Sequence, residues 1–242
     1  MRVVSLVPSL TEAVAVSAPG TLVGVTDWCT HPADLGGAVR IGGTKNPDTA
    51  AVAALRPDLV IANEEENRAP DLDALRAAGL DVLVTEIRGL DQAFAELERV
   101  LDACGVRGAP RWLDEARAAW AEVGAGAWDP PRTAVVPVWR RPWMVLGRDT
   151  FAGDLLGRLG VRNLYAEHSE RYPRVALDEL TGASPELVVL PDEPYRFTRD
   201  DGPEAFPGVA AALVDGRHLT WYGPSLAEAP RSLARDLRAA LR

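Results

Sequence analysis

Six aromatic residues stand where apolar runs give way to polar segments: Trp28, Trp139, Trp143, Tyr172, Trp221 and Tyr222. Each ring can bury about 150–250 Å². Several of them presented at loop ends would suit a ligand with a broad apolar or π face. Arg140, Arg141 and Arg148 flank these rings. A guanidinium forks onto carboxylate or phosphate, so Arg140 and Arg148 fit an anionic group on the same ligand. The competing reading is ordinary packing for the rings and solvated surface for the arginines. Trp112, Trp120 and Trp128 fall in or beside a helical stretch and read as packing residues.

A second set has ligating or acid–base types. Cys29 and His31 are two apart on one predicted loop, and Glu65 lies within the run Glu64-Glu65-Glu66. Thiolate, imidazole and carboxylate together would hold a soft or borderline metal. His168 is the candidate fourth partner, from the other half of the chain. The alternative is a buried cysteine, a loop histidine capping backbone and a solvated acidic run, so no metal site is assigned. His218 reads as structural. No G-x-G-x-x-G, Walker A or G-x-S-x-G pattern occurs, and Gly42-Gly43-Thr44-Lys45 lacks phosphate-loop spacing. No catalytic residue and no intrinsic cofactor are expected.

The bulk composition narrows the partners. A net charge of −9 over 242 residues disfavours nucleic acid and anionic membrane surfaces. Lys45 is the sole lysine among 26 basic residues, a skew that carries no functional weight by itself. Two cysteines do not make a disulfide framework. Met1-Arg2 leads straight into the strand-like Val3-Val4-Ser5-Leu6-Val7 without a secretory leader. The chain as given is therefore expected in the cytoplasm, or outside it if a leader preceded Met1.

The elements that must position these residues alternate strand and helix. Arg56-Pro57-Asp58-Leu59-Val60-Ile61-Ala62 runs into an acidic loop, and Ser184-Pro185-Glu186-Leu187-Val188-Val189-Leu190 does the same later. Short apolar runs bounded by Pro fit strands buried on both faces of a parallel sheet. Ligands bind such sheets beyond the strand carboxyl ends. Strands are predicted at Val3–Val7, Leu22–Thr26, Leu59–Ala62, Val82–Val84, Thr133–Val138 and Leu187–Leu190. Ser9-Leu10-Thr11-Glu12 has capping-box spacing. Two consecutive helices, Leu90–Ala103 and Arg111–Val123, break the alternation. A helix of about 17 residues would span about 25 Å. The expected organisation is an α/β lobe over 1–104, a linker helix within 105–126 and a second α/β lobe over 127–242. Trp139 to Trp143 reads as a loop, and the terminal helix as Leu226 to Leu241.

Several stretches in this order resemble the substrate-binding receptors of ABC importers for vitamin B12, ferric siderophores and haem, the helical-backbone metal receptors. They include Val4-Ser5-Leu6-Val7-Pro8-Ser9-Leu10-Thr11-Glu12, and Leu22-Val23-Gly24-Val25-Thr26-Asp27-Trp28 with His31-Pro32. Gly42-Gly43, Ala54 to Ala62, Gly147-Arg148-Asp149-Thr150-Phe151 and Arg171-Tyr172-Pro173-Arg174-Val175 continue it. The resemblance implies two Rossmann-like lobes with parallel sheets joined by one long helix, the class III periplasmic-binding-protein architecture. It also implies a corrinoid, haem or ferric siderophore held in a cleft without chemistry.

On that resemblance, Trp28, Tyr172 and the Trp139 region match aromatic cleft positions, and Asn63 stands where the B12 receptor presents an aromatic. Receptors of this kind dock on their permease through one glutamate per lobe. Those positions fall here on Ala50 and on Asp178, beside Glu179. The last cleft loop, Leu219 to Ser225, lacks the Asp and Arg of the B12 receptor. The expected protein is a monomeric chelate-binding receptor with an ABC permease as partner. The alternatives are a cytoplasmic sensor or carrier without a transporter, and a chelatase-like tetrapyrrole enzyme using His31, His168 and Glu65.

Overall fold

The structure is a computed structural model describing residues 1–123, 128 and 130–242. The chain forms two α/β units. The first comprises Met1–Ile87, Asp91–Asp114 and Tyr222–Pro224; the second comprises Arg88–Leu90, Glu115–Trp221 and Ser225–Arg242. The lobe boundary expected at 126/127 lies outside the described residues.

The first unit runs β1 (Val3–Ser5), α1 (Pro8–Ser17), β2 (Leu22–Val25), β3 (Val39–Arg40), β4 (Gly42–Gly43), β5 (Asn46–Pro47), α2 (Thr49–Ala54), β6 (Leu59–Asn63), α3 (Ala69–Ala77), β7 (Val82–Thr85) and α4 (Leu90–Ala103). Five strands form a sheet in the order β3-β2-β1-β6-β7, every pairing parallel. Its core packs Val4, Leu6, Val60 and Ala62 against Val52, Leu72 and Leu75. Burial on both faces explains why these strands read as continuous apolar runs rather than alternating ones.

Local signals placed most of these elements. Asp48 caps α2, its side chain accepting from the Ala51 amide at 2.9 Å. Pro70 lies in the first turn of α3, and Gly79, at φ +81°, follows its end. The capping box at Ser9 is not formed. Helix α1 starts one residue earlier, with Pro8 in its first turn after an extended Val7 and no side-chain cap. Proline's fixed φ already suits that turn, and Ser9 and Glu12 are buried in the unit instead.

Helix α5 (Arg111–Ala121) is 11 residues long, shorter than expected, and the division between the units falls within it. Its two tryptophans pack as the sequence suggested. Trp112 Nε1 donates to Ser17 Oγ at 2.9 Å and Trp120 Nε1 to the Leu226 carbonyl at 3.1 Å.

The second unit continues with β8 (Arg132–Val135), β9 (Pro137–Arg140), β10 (Trp143–Val145), α6 (Phe151–Arg158), β11 (Val161–Asn163), α7 (Leu177–Gly182), β12 (Leu187–Pro191), β13 (Ala210–Val214), α8 (Gly216–Thr220) and α9 (Ala229–Ala240). Its sheet has the order β11-β8-β12-β13, again parallel throughout. The repeated apolar stretches are thus β6 and β12, each central in its sheet. Two expectations change. Trp139 to Trp143 is not a simple loop, because β9 and β10 pair antiparallel with Trp143 opposite Arg140 and Met144 opposite Trp139. The terminal helix begins at Ala229, since Pro224–Ala227 is a separate 3-10 turn.

Candidate ligand-binding site

In the first unit the loops after β1, β2 and β6 leave the carboxyl edge of neighbouring strands. The loop after β2 is a stapled turn. The Cys29 amide donates to the Thr26 carbonyl at 3.2 Å, and Arg40 Nη1 donates to the carbonyls of Thr26 and Cys29 at 2.6 and 2.8 Å. The Cys29 sulfur is buried within hydrogen-bond reach of Thr11 Oγ1 (3.0 Å) and Thr26 Oγ1 (3.2 Å). Burial raises the thiol pKa more than these contacts lower it, so Cys29 stays protonated. With Cys29 turned in, Trp28 is thrown out and is 65% exposed.

A small β4–β5 hairpin stands beside that turn. Gly42 accepts the Asp27 amide at 2.9 Å. A Cβ on Gly43 would lie 3.4 Å from Trp28 Nε1 and 2.5 Å from Asn46 Oδ1, so glycine lets the indole lie against the hairpin. The loop after β6 is locked by two buried asparagines. Asn63 Oδ1 accepts the Glu65 and Glu66 amides at 2.9 and 3.3 Å. Asn67 Oδ1 accepts the Asn63 amide, while its Nδ2 donates to the carbonyls of Leu6 (3.3 Å) and Thr44 (2.9 Å). Lys45 Nζ, at the hairpin turn, donates to the Glu65 carbonyl. Three loops therefore form one hydrogen-bonded assembly carrying Trp28, Lys45 and Glu64–Glu66.

This corrects the expected role of Asn63. It is 2% exposed and its amide is spent on Glu65, Glu66 and Thr85, so it organises the acidic loop rather than facing a ligand. Glu65 is half-buried and sits in that loop. His31 is exposed, with Nδ1 3.1 Å from Thr30 Oγ1, whereas the Cys29 sulfur is buried. Among the described residues no three His, Cys, Asp or Glu side chains group around a potential metal position. His168 belongs to the second unit, where Nδ1 accepts the Glu170 amide at 3.0 Å.

In the second unit the β9–β10 hairpin carries Trp139, Arg140 and Trp143. Trp139 is 42% exposed and meets Tyr195 edge-on, with centroids 5.6 Å apart. Trp143 is half-buried, stacked on Phe197 at 6.1 Å and edge-on to Phe206 at 5.5 Å. Arg140 lies over Trp143, 5.3 Å from its centroid, and pairs with both Asp201 and Glu204. Tyr195 Oη also donates to Asp201, at 2.6 Å. Burial works against ionisation of Glu204, but the Gly202 amide and Arg140 leave its pKa lowered on balance.

Trp143 and Arg140, both expected to contact a ligand, are thus engaged with partners within the unit. This clamp is not legible in the sequence, because Tyr195, Phe197, Asp201 and Glu204 lie in the segment after β12, which has no periodicity. Tyr172, half-buried, sits in a segment laced to β10 and beyond. Gly147 and Val145 donate to the carbonyls of Arg171 (2.8 Å) and Pro173 (3.1 Å), and Arg171 Nε donates to the Asp149 carbonyl at 2.9 Å. Arg148 is exposed, 3.5 Å from Asp149.

Trp221 and Tyr222 are not on an open loop. They are 8% and 6% exposed, and Trp221 Nε1 donates to Glu193 Oε2 at 3.0 Å. Asp178 and Glu179 are exposed in the first turn of α7, and Glu179 accepts from Tyr165 Oη at 3.4 Å. Ala50 is exposed in α2.

The family model described as periplasmic binding protein matches residues 3–206. The chain belongs to that family. Among curated relatives, the vitamin B12-binding protein of Photorhabdus laumondii is 23% identical over 193 residues, covering 78% of this chain and 70% of the relative. Its counterpart in Yersinia pestis is 22% identical over 195 residues, covering 78% and 69%. Among solved structures, the periplasmic haem-binding protein RhuT from Roseiflexus superposes with TM-score 0.81 at 22% identity, covering 100% of this chain and 99% of that one. The vitamin B12-binding protein BtuF of Vibrio cholerae gives 0.75 at 18%, covering 100% and 98%. A periplasmic haem-binding protein from Pseudomonas aeruginosa gives 0.72 at 26%, covering 96% and 91%. The fold of these periplasmic binding proteins is the fold of this chain.

Proposed function

We propose that this protein is a non-catalytic receptor for a metal chelate with a broad apolar face, a corrinoid, haem or ferric siderophore, delivered to an ABC permease. The observation that carries this reading is the exposure of large indoles at sheet carboxyl edges: Trp28 at 65% and Trp139 at 42%. A folded chain gains nothing by leaving so much ring in water, whereas a flat ligand covers it. The named relatives that bind vitamin B12 and haem support the ligand class. The family description supports a place outside the cytoplasm, against the cytoplasmic expectation drawn from Met1. Asp178 and Glu179 on α7 supply acidic docking groups, while Ala50 offers none on α2.

The test is a tryptophan-fluorescence titration with cobalamin, hemin and a panel of ferric siderophores. Saturable quenching by at least one at micromolar concentration is expected. Absence of quenching by all three classes would refute the receptor reading.

A further inference from the structure

Helix α9 buries Ala229, Pro230, Leu233 and Leu237 in the second unit, against β13 and α8. Its opposite face is basic. Arg231, Arg235 and Arg238 are exposed, four and three residues apart, and Arg242 follows past the helix end. At 3.6 residues per turn, the three helical positions lie within about 60° of one another around the axis. Arg235 shares Asp236 at 2.9 Å. Arg231 and Arg238 pair with no acid among the described residues. Helix stability does not explain this row. Like charges three or four apart repel, and Arg231, in the first turn, opposes the helix dipole that Arg238, in the last turn, suits. On a chain of net charge −9, such a row fits a partner that presents carboxylates.

The chain itself carries a matching row. Helix α4 buries Ala93, Phe94, Leu97, Val100 and Leu101, and exposes Asp91, Ala95, Glu98 and Asp102. These four positions repeat the spacing of Arg231, Arg235, Arg238 and Arg242, and they too fall within about 60° around their axis. Laid along α9 in either direction, α4 brings a carboxylate in step with two of the three helical arginines. Antiparallel, Arg231 meets Asp102 and Arg235 meets Glu98. Parallel, Arg231 meets Asp91 and Arg238 meets Glu98. In both, the third arginine falls on Ala95. The basic neighbour on α4, Arg99, is turned to Glu96 and to the Val84 carbonyl.

We infer that the arginine row of α9 docks on the acidic row of α4 in a second copy of this chain. A guanidinium forks onto a carboxylate, and the two rows match in sign and spacing. The inference does not depend on the receptor reading, and it replaces the monomer expected from the resemblance with a weak assembly. The faces joined are unlike, so the contact is heterologous. Exposed ion pairs contribute little each. The association is therefore weak, salt-dependent and seen at high protein concentration.

Sedimentation equilibrium tests it on wild type and two charge-reversed variants, Arg231→Glu/Arg235→Glu/Arg238→Glu and Glu98→Arg/Asp102→Arg. At about 0.1 M salt the screening length is about 10 Å, which mutes repulsion between whole molecules while touching rows still attract. There the weight-average mass of wild type should rise above 26.0 kDa as protein approaches about 1 mM, the weak end of the affinity scale. It should return to the monomer value at about 1 M salt, where screening falls to about 3 Å. Each variant alone should stay monomeric. An equimolar mixture should associate again, because the intact α9 of one variant then meets the intact α4 of the other. That recovery separates a lost contact from a lost fold. A wild type that stays monomeric at about 0.1 M salt, variants that associate as wild type does, or a mixture that stays monomeric would each overturn the inference. Binding of wild type to phosphatidylglycerol vesicles without self-association would overturn it as well, assigning the row to a lipid surface.

Discussion

The carboxyl edges of the two sheets carry similar ingredients and use them differently. Beyond β2 and β6, an indole and an ammonium stand exposed on loops fixed by buried asparagines and backbone bonds. Beyond β8 and β12, indoles pack on Phe197, Phe206 and Tyr195, and the guanidinium is closed by two acids. What separates them is where the satisfying partners come from. In the first unit backbone groups and buried amides hold the loops, with Lys45 on the Glu65 carbonyl, and the Trp28 ring stays exposed. In the second the cation and one of the two indoles are themselves part of the scaffold.

The largest effect should come from the locks in the first unit. Asn67→Leu leaves the carbonyls of Leu6 and Thr44 and the Asn63 amide without their partner. Each buried group left unsatisfied costs about 1–3 kcal/mol, so a loss of about 3 kcal/mol in denaturant-unfolding stability is expected. A loss under about 1 kcal/mol would show that the loops are not held as described. Gly147→Ala tests the second unit in the same way. Its Cβ would sit 2.1 Å from the Glu170 carbonyl oxygen, so the Tyr172 segment must shift. Destabilisation of about 1–3 kcal/mol is the scale of overpacking.

Arg140→Ala sharpens the comparison directly. The acids are partly exposed, so the expected loss is only about 1 kcal/mol in thermal unfolding. Hemin affinity should change less than in Trp28→Ala. A larger loss of affinity in Arg140→Ala would reverse the roles of the two edges.

Glu186 adds a pH-dependent contribution in the second unit. The Thr133 amide, then Arg132 and the Thr133 hydroxyl, hold its pKa to about 2. A lowered folded-state pKa stabilises above the unfolded value near 4.5, and that contribution disappears as pH falls toward 2. The stability gap between wild type and Glu186→Gln should therefore be present at pH 6 and close by pH 2. A gap independent of pH would contradict the assignment.

The smallest effect is an absence of reaction. Cys29 and Cys104 are buried, and burial pushes the Cys104 thiol up to about 11. A thiol reagent at neutral pH should label neither in the native protein and both after denaturation.

The fold was largely legible in the sequence because its signals are local. Apolar runs bounded by Pro marked β6 and β12, and the strand–helix alternation implied parallel sheets. The site was less legible. Trp28 is identifiable as a loop aromatic, but nothing in the sequence separates it from Trp143 or Trp221, whose burial is decided by Phe197, Phe206 and Glu193 from distant segments. Asn63 reads as a polar substitute for an aromatic until its amide is seen capping its own loop. The clamp on Arg140 depends on acids more than 60 positions away in a segment without periodicity.

The central claim is that exposed Trp28 is a ligand-contacting surface while half-buried Trp143 is structural. A hemin titration of Trp28→Ala and Trp143→Phe tests it most directly. Trp28→Ala is expected to weaken hemin tenfold or more at unchanged thermal stability, and Trp143→Phe to leave hemin affinity near wild type. Wild-type affinity in Trp28→Ala, with the loss appearing in Trp143→Phe, would contradict it.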